Sequence, residues 1–350
     1  MKGYVLVDKN FAEWRDVPVP EAEPLDAIIK PIVVSTCTTD VHLIQTVAMA
    51  SVKGKVIGHE MVGIIHEVGR DVKEFKPGDR VVVSSIQPNW RSLEAQDGLP
   101  NYNTTSFYYA KDARKGGSFA ELYHVTDADM NLAHIPESVT WEQAIMLTDM
   151  VTTAFAGIDQ LNLKTGDTVV ILGIGPVGLM GVCGALMKGA GRVFGVGSRQ
   201  VCFDVGKKYG VTDCINYKDG NIVDQILSKN GKPVDAVFVT GGSSSSIADG
   251  MRMVKYGGTV SNVACFFEDA TTVIPSDVWN HGGLDKYVKG VKAVGGRAYM
   301  ERLLSLVQYG RLKPELLVTH TFHGMEKIED AIKMMADRDP TVIKPIIYFD

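Results

Sequence analysis

The sequence lacks the marks of secreted, membrane-spanning and nucleic-acid-binding proteins. Its cysteines, Cys37, Cys183, Cys202, Cys214 and Cys265, form no Cys-x-x-Cys pair, so neither a disulfide framework nor a four-cysteine metal site is expected. No block of Lys and Arg occurs and the formal net charge is −5, which offers no basic surface to nucleic acid or an anionic membrane. No run of about 18 apolar residues occurs, and the first residues lack the apolar core of a signal peptide. These absences favour a cytoplasmic protein with a small-molecule partner and no nucleic-acid or membrane partner.

Length and composition predict two domains of the α/β class. A chain of 350 residues with 45% hydrophobic residues is too long for one comfortable hydrophobic core. Residues 1–150 carry short Val/Ile-rich runs between Gly, Pro and Asp, a pattern typical of antiparallel strands. Residues 151–294 alternate strand, glycine turn and helix, which predicts a doubly wound parallel sheet of the nucleotide-binding type. Residues 295–350 offer two helices and a strand, and we expect them to rejoin the first domain.

The boundaries of individual elements can be predicted in the second domain and the tail. The pattern predicts strands at 168–172, 192–196, 235–240 and 259–264, and helices at 175–188, 200–209 and 247–254. In the tail it predicts helices at 299–307 and 325–335 and a last strand at 344–349.

A glycine-rich turn follows the first strand of the second domain. Its six residues are Gly173, Ile174, Gly175, Pro176, Val177 and Gly178. Gly173 permits the tight turn, Gly175 lets the backbone approach a pyrophosphate, and Gly178 lets helix and sheet pack closely. The phosphates would lie at the positive N-terminus of the following helix. Because strand, glycines, helix and second strand occur in order, the motif predicts a dinucleotide site and not an ordinary turn.

The end of the next strand predicts which dinucleotide is bound. An NAD-selective site usually has a carboxylate about 20 residues after the glycine motif, where it holds the ribose hydroxyls. This chain has Gly197, Ser198 and Arg199 there. A small residue, a hydroxyl and a guanidinium leave room for a 2′-phosphate and can bind it. The sequence therefore favours NADP, although Arg199 could also be a solvated surface residue.

A second group of residues has the chemistry of a metal site. His59 and Glu60 follow Gly58, and Cys37 lies earlier in the chain. Imidazole and thiolate are good ligands for Zn²⁺. Neither the His-Glu pair nor Cys37 is enough by itself to predict a metal site. A His-Glu pair on a half-buried segment is more often a packed histidine beside a solvated acid.

Together these motifs resemble those of a known family. Gly-His-Glu with glycines at Gly63 and Gly69 and an aliphatic Val72 resembles the zinc signature of the medium-chain dehydrogenases. In particular, the chain is similar to the NADP-dependent secondary alcohol dehydrogenases of microbes. The resemblance covers nearly the whole chain and is carried by Cys-Thr-Thr-Asp-Val-His at 37–42, Gly-His-Glu at 58–60, Leu-Thr-Asp-Met-Val-Thr-Thr at 147–153, Gly-Ile-Gly-Pro-Val-Gly at 173–178, Gly-Ser-Arg at 197–199 and Ile-Lys-Pro at 343–345.

This resemblance implies the architecture and the metal ligands. The first domain is expected to be a GroES-like catalytic domain and the second a Rossmann domain. Cys37, His59 and Asp149 are the implied zinc ligands, and Glu60 is a neighbouring carboxylate able to enter the coordination sphere when substrate is absent. Many relatives have cysteine in place of Asp149 and carry a four-cysteine lobe near residues 90–115, which this chain lacks. One zinc per subunit is therefore expected, and Asp40 is expected to matter less than Asp149.

The resemblance also implies the remaining partners of the chain. The expected cofactor contacts are the glycine turn at 173–178, the residues at 197–199, and six further residues: Thr38, Tyr217, Val263, Ala264, Cys265 and Arg338. The implied assembly is a homotetramer. The implied reaction is the interconversion of a small secondary alcohol, such as 2-propanol or 2-butanol, and its ketone.

Two further sets of side chains are implied for the reaction itself. Thr39 and His42 match the family's proton relay from hydroxyl to imidazole to solvent, which suits a group that titrates near neutrality, although His42 could also be a plain surface histidine. The residues expected near the substrate are Ser85, Ile86, Tyr109, Cys265 and Lys292. Lys292 departs from the aliphatic residue usual there, so the substrate preference is inferred from the family and not from the pocket.

Three alternatives use the same scaffold. A zinc polyol dehydrogenase shares Gly-His-Glu, but is expected to bind a polyhydroxylated substrate and often NAD. A zinc-free NADPH quinone reductase normally lacks the ligands at Cys37 and His59. A non-catalytic nucleotide-binding or lens-type structural protein need not keep the full set of zinc ligands, Cys37, His59 and Asp149.

Overall fold

The chain folds into two compact units, and each is built on one large sheet. The computed structural model describes residues 1–46, 52–105, 115–266, 271–280 and 285–349. Unit 1 comprises Met1–Thr152 and Val294–Asp350, and unit 2 comprises Thr153–Ala293. None of the helices in the described ranges has the length and hydropathy that a bilayer crossing requires.

The strands and helices are numbered in chain order. The strands are β1 Lys2–Asp8, β2 Phe11–Asp16, β3 Ala27–Ser35, β4 Glu60–Val68, β5 Arg80–Val83, β6 Tyr123–Val125, β7 Leu132–His134, β8 Thr168–Leu172, β9 Arg192–Gly197, β10 Asp213–Asn216, β11 Val234–Val239, β12 Val254–Asn262, β13 Tyr287–Gly290, β14 Val318–His323 and β15 Lys344–Tyr348. The α-helices are α1 Thr38–Thr46, α2 Leu93–Gln96, α3 Ala128–Asn131, α4 Trp141–Ile145, α5 Met150–Asp159, α6 Pro176–Met187, α7 Gln200–Tyr209, α8 Ile222–Asn230, α9 Ser246–Met253, α10 Ser276–Asn280, α11 Arg297–Gln308 and α12 Ile328–Ala336.

Unit 1 is built on a seven-stranded sheet with the order β14-β15-β3-β4-β5-β7, and β6 pairs with β3. All of these pairs are antiparallel except β14 with β15, which is parallel. The antiparallel region predicted for residues 1–150 is present, and the parallel pair lies in the tail. Helix α12 covers this core with Ile328, Ala331 and Ile332, whose spacing puts them on one helical face.

Three strands of unit 1 meet at one end of the sheet. β3 ends at Ser35, which is the register partner of Glu60, the first residue of β4. β15 begins at Lys344, and its Ile346 is the register partner of Ser35. Ser35 Oγ donates a hydrogen bond of 2.7 Å to the carbonyl of Pro345 and ties β15 to β3. Residues that follow β3 and residues that open β4 and β15 are therefore brought together, although they are far apart in the sequence.

Unit 2 is built on a parallel six-stranded sheet with the order β10-β9-β8-β11-β12-β13. In chain order this is the 3-2-1-4-5-6 arrangement of dinucleotide-binding sheets. The central strand β8 is buried along its whole length, as expected when both faces of a parallel sheet are covered.

Most of the predicted elements are found, several with ends that differ by one or two residues, and the strand predicted at 259–264 is Val254–Asn262. The sequence pattern did not predict β10, α8, α10 or β13. The helix predicted to end at Val254 ends one residue earlier, because Val254 opens β12 and pairs with Val234. The helix predicted from 325 begins with a 3₁₀ turn, Met325–Lys327, before α12. Helix α1 was not predicted, since its nine residues, Thr-Thr-Asp-Val-His-Leu-Ile-Gln-Thr, are rich in β-branched side chains that favour strands in isolation.

Candidate metal centre and cofactor site

Four side chains of unit 1 form a compact cluster of metal-ligating groups. Cys37, His59, Glu60 and Asp149 each offer one donor atom, and these atoms all lie within 4.8 Å of one another. His59 Nε2 lies 3.6 Å from Glu60 Oε1 and 3.6 Å from Asp149 Oδ2. His59 and Glu60 are buried, and Cys37 and Asp149 are partly exposed. A buried imidazole with carboxylates and a thiol at this spacing is suited to a divalent cation.

The sheet explains how these residues come together. Cys37 follows the end of β3, and His59 and Glu60 stand at the start of β4, which pairs with β3. Asp149 lies between α4 and α5, and its segment is tied to the sheet because Ser85, just beyond β5, donates its N–H to the carbonyl of Thr148 at 2.8 Å. β5 in turn pairs with β4.

The residues present fit one zinc ion. Donor atoms bound at about 2.0–2.3 Å to one tetrahedral ion lie roughly 3.3–3.8 Å from one another, and both 3.6 Å separations from His59 Nε2 fall in that range. Oε2 of Glu60 is buried and has no hydrogen-bond partner, which is costly unless a cation is bound nearby. The mixture of thiolate, imidazole and carboxylate donors is typical of zinc.

Asp40 holds two members of the cluster in place, a role that the sequence did not indicate. This carboxylate is fully buried. Its Oδ2 accepts a hydrogen bond of 2.8 Å from the N–H of Cys37, and its Oδ1 lies 3.2 Å from His59 Nδ1. A carboxylate on Nδ1 fixes the ring orientation and makes Nε2 the ring nitrogen that can bind a metal. A carboxylate three residues after the candidate cysteine was the only signal available in the sequence.

Lys344 is the second residue that the sequence left without a role. Its Nζ donates to Glu60 Oε1 at 2.8 Å and to the carbonyl of Thr36 at 2.9 Å. Burial opposes the charge of Lys344, but the charges of Glu60, Cys37 and Asp149 and the hydrogen bond that Lys344 donates to Glu60 raise the pKa of Lys344. Burial also raises the pKa of Glu60 to about 7, against the lowering charges of Lys344 and His59.

The two residues predicted for proton transfer lie on α1, directly after Cys37. Thr39 Oγ1 lies 3.6 Å from Cys37 Sγ. His42 is three residues further on the same helix, so it shares a face with Thr39, and it is partly exposed. The structure thus brings Thr39 to the cluster and puts His42 one turn away, toward solvent.

The glycine turn of unit 2 has the backbone that the motif predicts. Gly173 has φ +96°, and a Cβ there would lie 2.9 Å from the nitrogen of Gly241. A Cβ on Gly178 would lie 2.1 Å from the carbonyl oxygen of Gly173. Gly175 is the N-cap of α6 and Pro176 is its first residue. The turn therefore accepts no side chain at two of its glycines and leaves the N-terminus of α6 open to an anion.

A polar group stands at the end of β9, beside this turn. Ser198 Oγ donates a hydrogen bond of 2.9 Å to Tyr217 Oη, which the resemblance had implied as a neighbour. Nη2 of Arg199 lies 3.9 Å from the position that a Cβ of Gly175 would take. A hydroxyl pair and a guanidinium thus flank the glycine turn, and no carboxylate ends β9.

The other predicted cofactor residues fall in both units. Val263, Ala264 and Cys265 follow β12 in unit 2, where the N–H of Val263 donates to the carbonyl of Val239 at 3.0 Å. Thr38 is exposed at the start of α1 in unit 1. Arg338 lies after α12 in unit 1 with φ +53°, a backbone conformation that is unusual for a long side chain.

The residues predicted near the substrate are only partly described. Ser85 is buried and Ile86 is partly buried beside the Thr148 segment of unit 1. Cys265 and Lys292 belong to unit 2, and burial lowers the pKa of Lys292. Tyr109 lies outside the described residues.

Comparisons with known proteins identify the family. Residues 23–137 match the alcohol dehydrogenase GroES-like domain, and residues 176–308 match the zinc-binding dehydrogenase domain. The chain belongs to the zinc-binding alcohol dehydrogenase family. The predicted family and fold class, a GroES-like domain with a Rossmann-type parallel sheet, are confirmed.

Individual relatives share the whole length of the chain. It is 44% identical over 349 residues to an NADP-dependent isopropanol dehydrogenase of Thermoanaerobacter brockii, covering 99% of each chain. It is 43% identical, with the same coverage, to an NADP-dependent isopropanol dehydrogenase of Clostridium beijerinckii. Among solved structures, an alcohol dehydrogenase from Thermus sp. ATN1 matches with a TM-score of 0.88 and 25% identity over 100% of both chains.

Proposed function

We propose that the chain is an NADP-dependent zinc alcohol dehydrogenase that interconverts small secondary alcohols and ketones. The observation that carries this proposal is the cluster of Cys37, His59, Glu60 and Asp149, whose donor atoms lie within 4.8 Å of one another. The full-length relatives at 42–44% identity are NADP-dependent isopropanol dehydrogenases, and isopropanol is a small secondary alcohol.

Cys37, His59 and Asp149 are the proposed zinc ligands, with Glu60 as the neighbouring carboxylate. When bound, Zn²⁺ supplies Lewis acidity toward the substrate oxygen, and NADP supplies the hydride acceptor. Asp40 orients His59 and the backbone of Cys37. One such cluster occurs in the described part of the chain, which supports one zinc per subunit.

The proton of the alcohol leaves through Thr39 and His42. Thr39 is close to the cluster because its Oγ1 lies 3.6 Å from Cys37 Sγ, and its hydroxyl can accept and pass on a proton. His42 carries an imidazole, a group that can both accept and donate a proton, and it is partly exposed. The pair can therefore connect a buried proton donor to solvent.

Unit 2 is the proposed NADP-binding domain. The pyrophosphate is held at the N-terminus of α6 by the turn of residues 173–178, and the 2′-phosphate by Ser198, Arg199 and Tyr217. The remaining proposed contacts are Gly197, Val263, Ala264, Cys265, Thr38 and Arg338. The positive φ of Arg338 supports a role for that residue, because the other non-glycine residues with positive φ in the described ranges are Asn or Asp. Backbone strain at a residue with a long side chain often marks a functional site.

The proposed assembly is a homotetramer in the cytoplasm. β13 is an edge strand of the parallel sheet with exposed Tyr287 and Val288, and such an edge is suited to pairing with another copy. The five cysteines, all in described segments, are free of disulfides, as in a reducing compartment. A monomer at micromolar concentration in light scattering would contradict the tetramer.

A substrate panel tests the enzyme assignment against its alternatives. Primary alcohols, secondary alcohols and polyols are each assayed with NADP and with NAD, together with zinc analysis of the protein. The expected result is a preference for small secondary alcohols with NADP and one zinc per chain. Faster oxidation of polyols with NAD indicates a polyol dehydrogenase, quinone reduction without zinc indicates a quinone reductase, and the absence of turnover indicates a binding protein.

A further inference from the structure

Lys344 is a buried lysine whose position is not explained by packing. Its side chain is 1% exposed and that of its partner Glu60 is fully buried. Removing two charges from water costs more free energy than their attraction generally returns, so a hydrophobic pair of similar volume is often at least as stable. The presence of an ion pair here points to a role at the cluster and not to a contribution to stability.

The two oxygens of Glu60 have different surroundings. Oε1 accepts the hydrogen bond from Lys344 Nζ at 2.8 Å and also lies 3.6 Å from His59 Nε2. Oε2 is buried without a hydrogen-bond partner. The carboxylate therefore lies between two positive centres, the ammonium of Lys344 and the cation that the cluster is built to hold.

Lys344 is itself fixed by a second contact. Its Nζ donates to the carbonyl of Thr36 at 2.9 Å, one residue before Cys37. The ammonium cannot follow Glu60 toward the metal without losing this bond, and a buried carbonyl left without its donor is costly. The contact with Thr36 therefore holds the lysine at a constant distance from the Cys37 segment.

We propose that Lys344 is a positioning residue that makes Glu60 a displaceable zinc ligand. Lys344 competes with the metal for the Glu60 carboxylate and so keeps the fourth coordination position accessible to substrate. The charges support this balance, because the ammonium of Lys344 attracts the same carboxylate as the cation does, in a cluster whose other anionic groups are Cys37, Asp149 and, behind His59, Asp40. Without Lys344, the metal is the cation that remains beside Glu60 among the groups in the described ranges, and the carboxylate occupies the fourth position. This inference rests on the proposed metal site.

Cobalt-substituted protein tests the inference without any need for turnover. Co²⁺ in place of Zn²⁺ has a visible spectrum that changes when imidazole binds at an open coordination position. We expect the wild type to bind imidazole, and Lys344→Met to keep one cobalt per chain but to require about tenfold more imidazole, which corresponds to about 1.4 kcal/mol. Lys344→Arg, which keeps the charge, should stay close to the wild type. The double variant Glu60→Ala/Lys344→Met should recover wild-type binding, because the competing carboxylate is gone.

Lys255→Met is the matched control, since Lys255 is also paired with a carboxylate, Asp235, but in unit 2. This variant should bind imidazole at the same concentration as the wild type. Lys344→Met that holds one cobalt and binds imidazole like the wild type overturns the inference. Loss of cobalt from both Lys344→Met and the double variant also overturns it, because the lysine then acts on the structure of the cluster. A wild type that holds no cobalt instead refutes the metal site itself.

Discussion

The carboxylate of Asp40 lies 3.2 Å from Nδ1 of His59. The same carboxylate accepts a hydrogen bond of 2.8 Å from the N–H of Cys37, so one buried group holds two of the three proposed zinc ligands. The contact with Nδ1 directs Nε2 of the same ring toward Asp149 and Glu60, each 3.6 Å away. The cluster is therefore positioned before any metal binds, which lowers the reorganisation that binding requires.

Replacing Asp40 should weaken metal binding although Asp40 is not a ligand. Asp40→Ala removes both contacts, and loss of such an outer partner typically costs about 10–100-fold in metal affinity. Asp40→Asn should lose less, because an amide oxygen can still accept from Cys37. Zinc affinity is measured by competition with a chromophoric chelator, with the exposed Asp16→Ala as the control. Equal affinities for Asp40→Ala and the wild type would show that His59 and Cys37 are held by the fold alone.

Asp149→Ala should abolish most of the activity through loss of zinc. Only Cys37 and His59 would remain of the three proposed ligands, with Glu60 tied to Lys344. Asp149→Cys should keep the metal, because a thiolate is a good zinc ligand. Elemental analysis should give one zinc per chain for the wild type and Asp149→Cys, and far less for Asp149→Ala. Two tightly bound zinc ions per wild-type chain, or full activity after exhaustive chelation, would refute the ligand assignment.

The preference for NADP should depend on the polar group at the end of β9. Hydrogen bonds to a charged group contribute about 1.5–3 kcal/mol each, so two contacts from Ser198 and Arg199 favour NADP by roughly a hundredfold to ten-thousandfold in kcat/KM. Ser198→Ala/Arg199→Leu should remove most of this ratio, whereas the control Arg192→Leu, at the opposite end of β9, should keep it. Wild-type enzyme that uses NAD as well as NADP would contradict this assignment.

Reversing the preference toward NAD with a carboxylate is harder than the sequence suggests. Gly197→Asp together with a neutral residue at Arg199 would let an acid hold the ribose hydroxyls. The structure shows that a Cβ at Gly197 would lie 2.9 Å from Cγ1 of Ile174. We therefore expect this pair of changes to invert the cofactor ratio at some loss of thermal stability, and a ratio that does not move would mean that the phosphate is bound elsewhere.

Acid should destabilise unit 1 through the buried pair of Asp26 and His124. His124 Nε2 lies 2.8 Å from Asp26 Oδ2, and the N–H of Asp127 donates to Oδ1 at 3.0 Å. Burial raises the pKa of Asp26, but these hydrogen bonds and the charges of His124 and Lys115 outweigh it, so the pKa lies below its ordinary value. Because the folded-state pKa is depressed, the stabilisation is present above the unfolded-state value of about 4 and is lost as the pH falls through the folded-state value.

The measurement is the difference in melting temperature between the wild type and Asp26→Asn from about pH 3 to about pH 6, the range that brackets the ordinary aspartate pKa. This difference should be largest at the upper end and shrink toward the lower end. Asp16→Asn, which changes an exposed carboxylate, should show a small difference at every pH. A difference that is constant over the whole range would show that the Asp26 carboxylate does not titrate as proposed.

The sequence by itself determined the local features of this protein. The glycine turn could be predicted because a tight turn, a close approach to phosphate and helix–sheet packing each exclude side chains at fixed spacings, and the structure shows those close approaches at Gly173 and Gly178. β8 and α7 have the predicted bounds, because their periodicity is local. The absence of a carboxylate at the end of β9 likewise follows from three neighbouring residues, Gly197, Ser198 and Arg199.

Only the tertiary structure decided how distant residues combine. Lys344 and Glu60 lie 284 positions apart in the sequence but form a hydrogen bond. They meet because β15 and β4 both pair with β3, and no local sequence pattern encodes that pairing. Asp40 could not be told from a surface acid, since its burial depends on how α1 packs against distant elements such as α12 and β2. Helix α1 itself has weak intrinsic helix propensity and is stabilised by burial of Val41 and Leu43. Long-range strand pairing, and the burial of charge that it imposes, thus set the surroundings of the metal ligands.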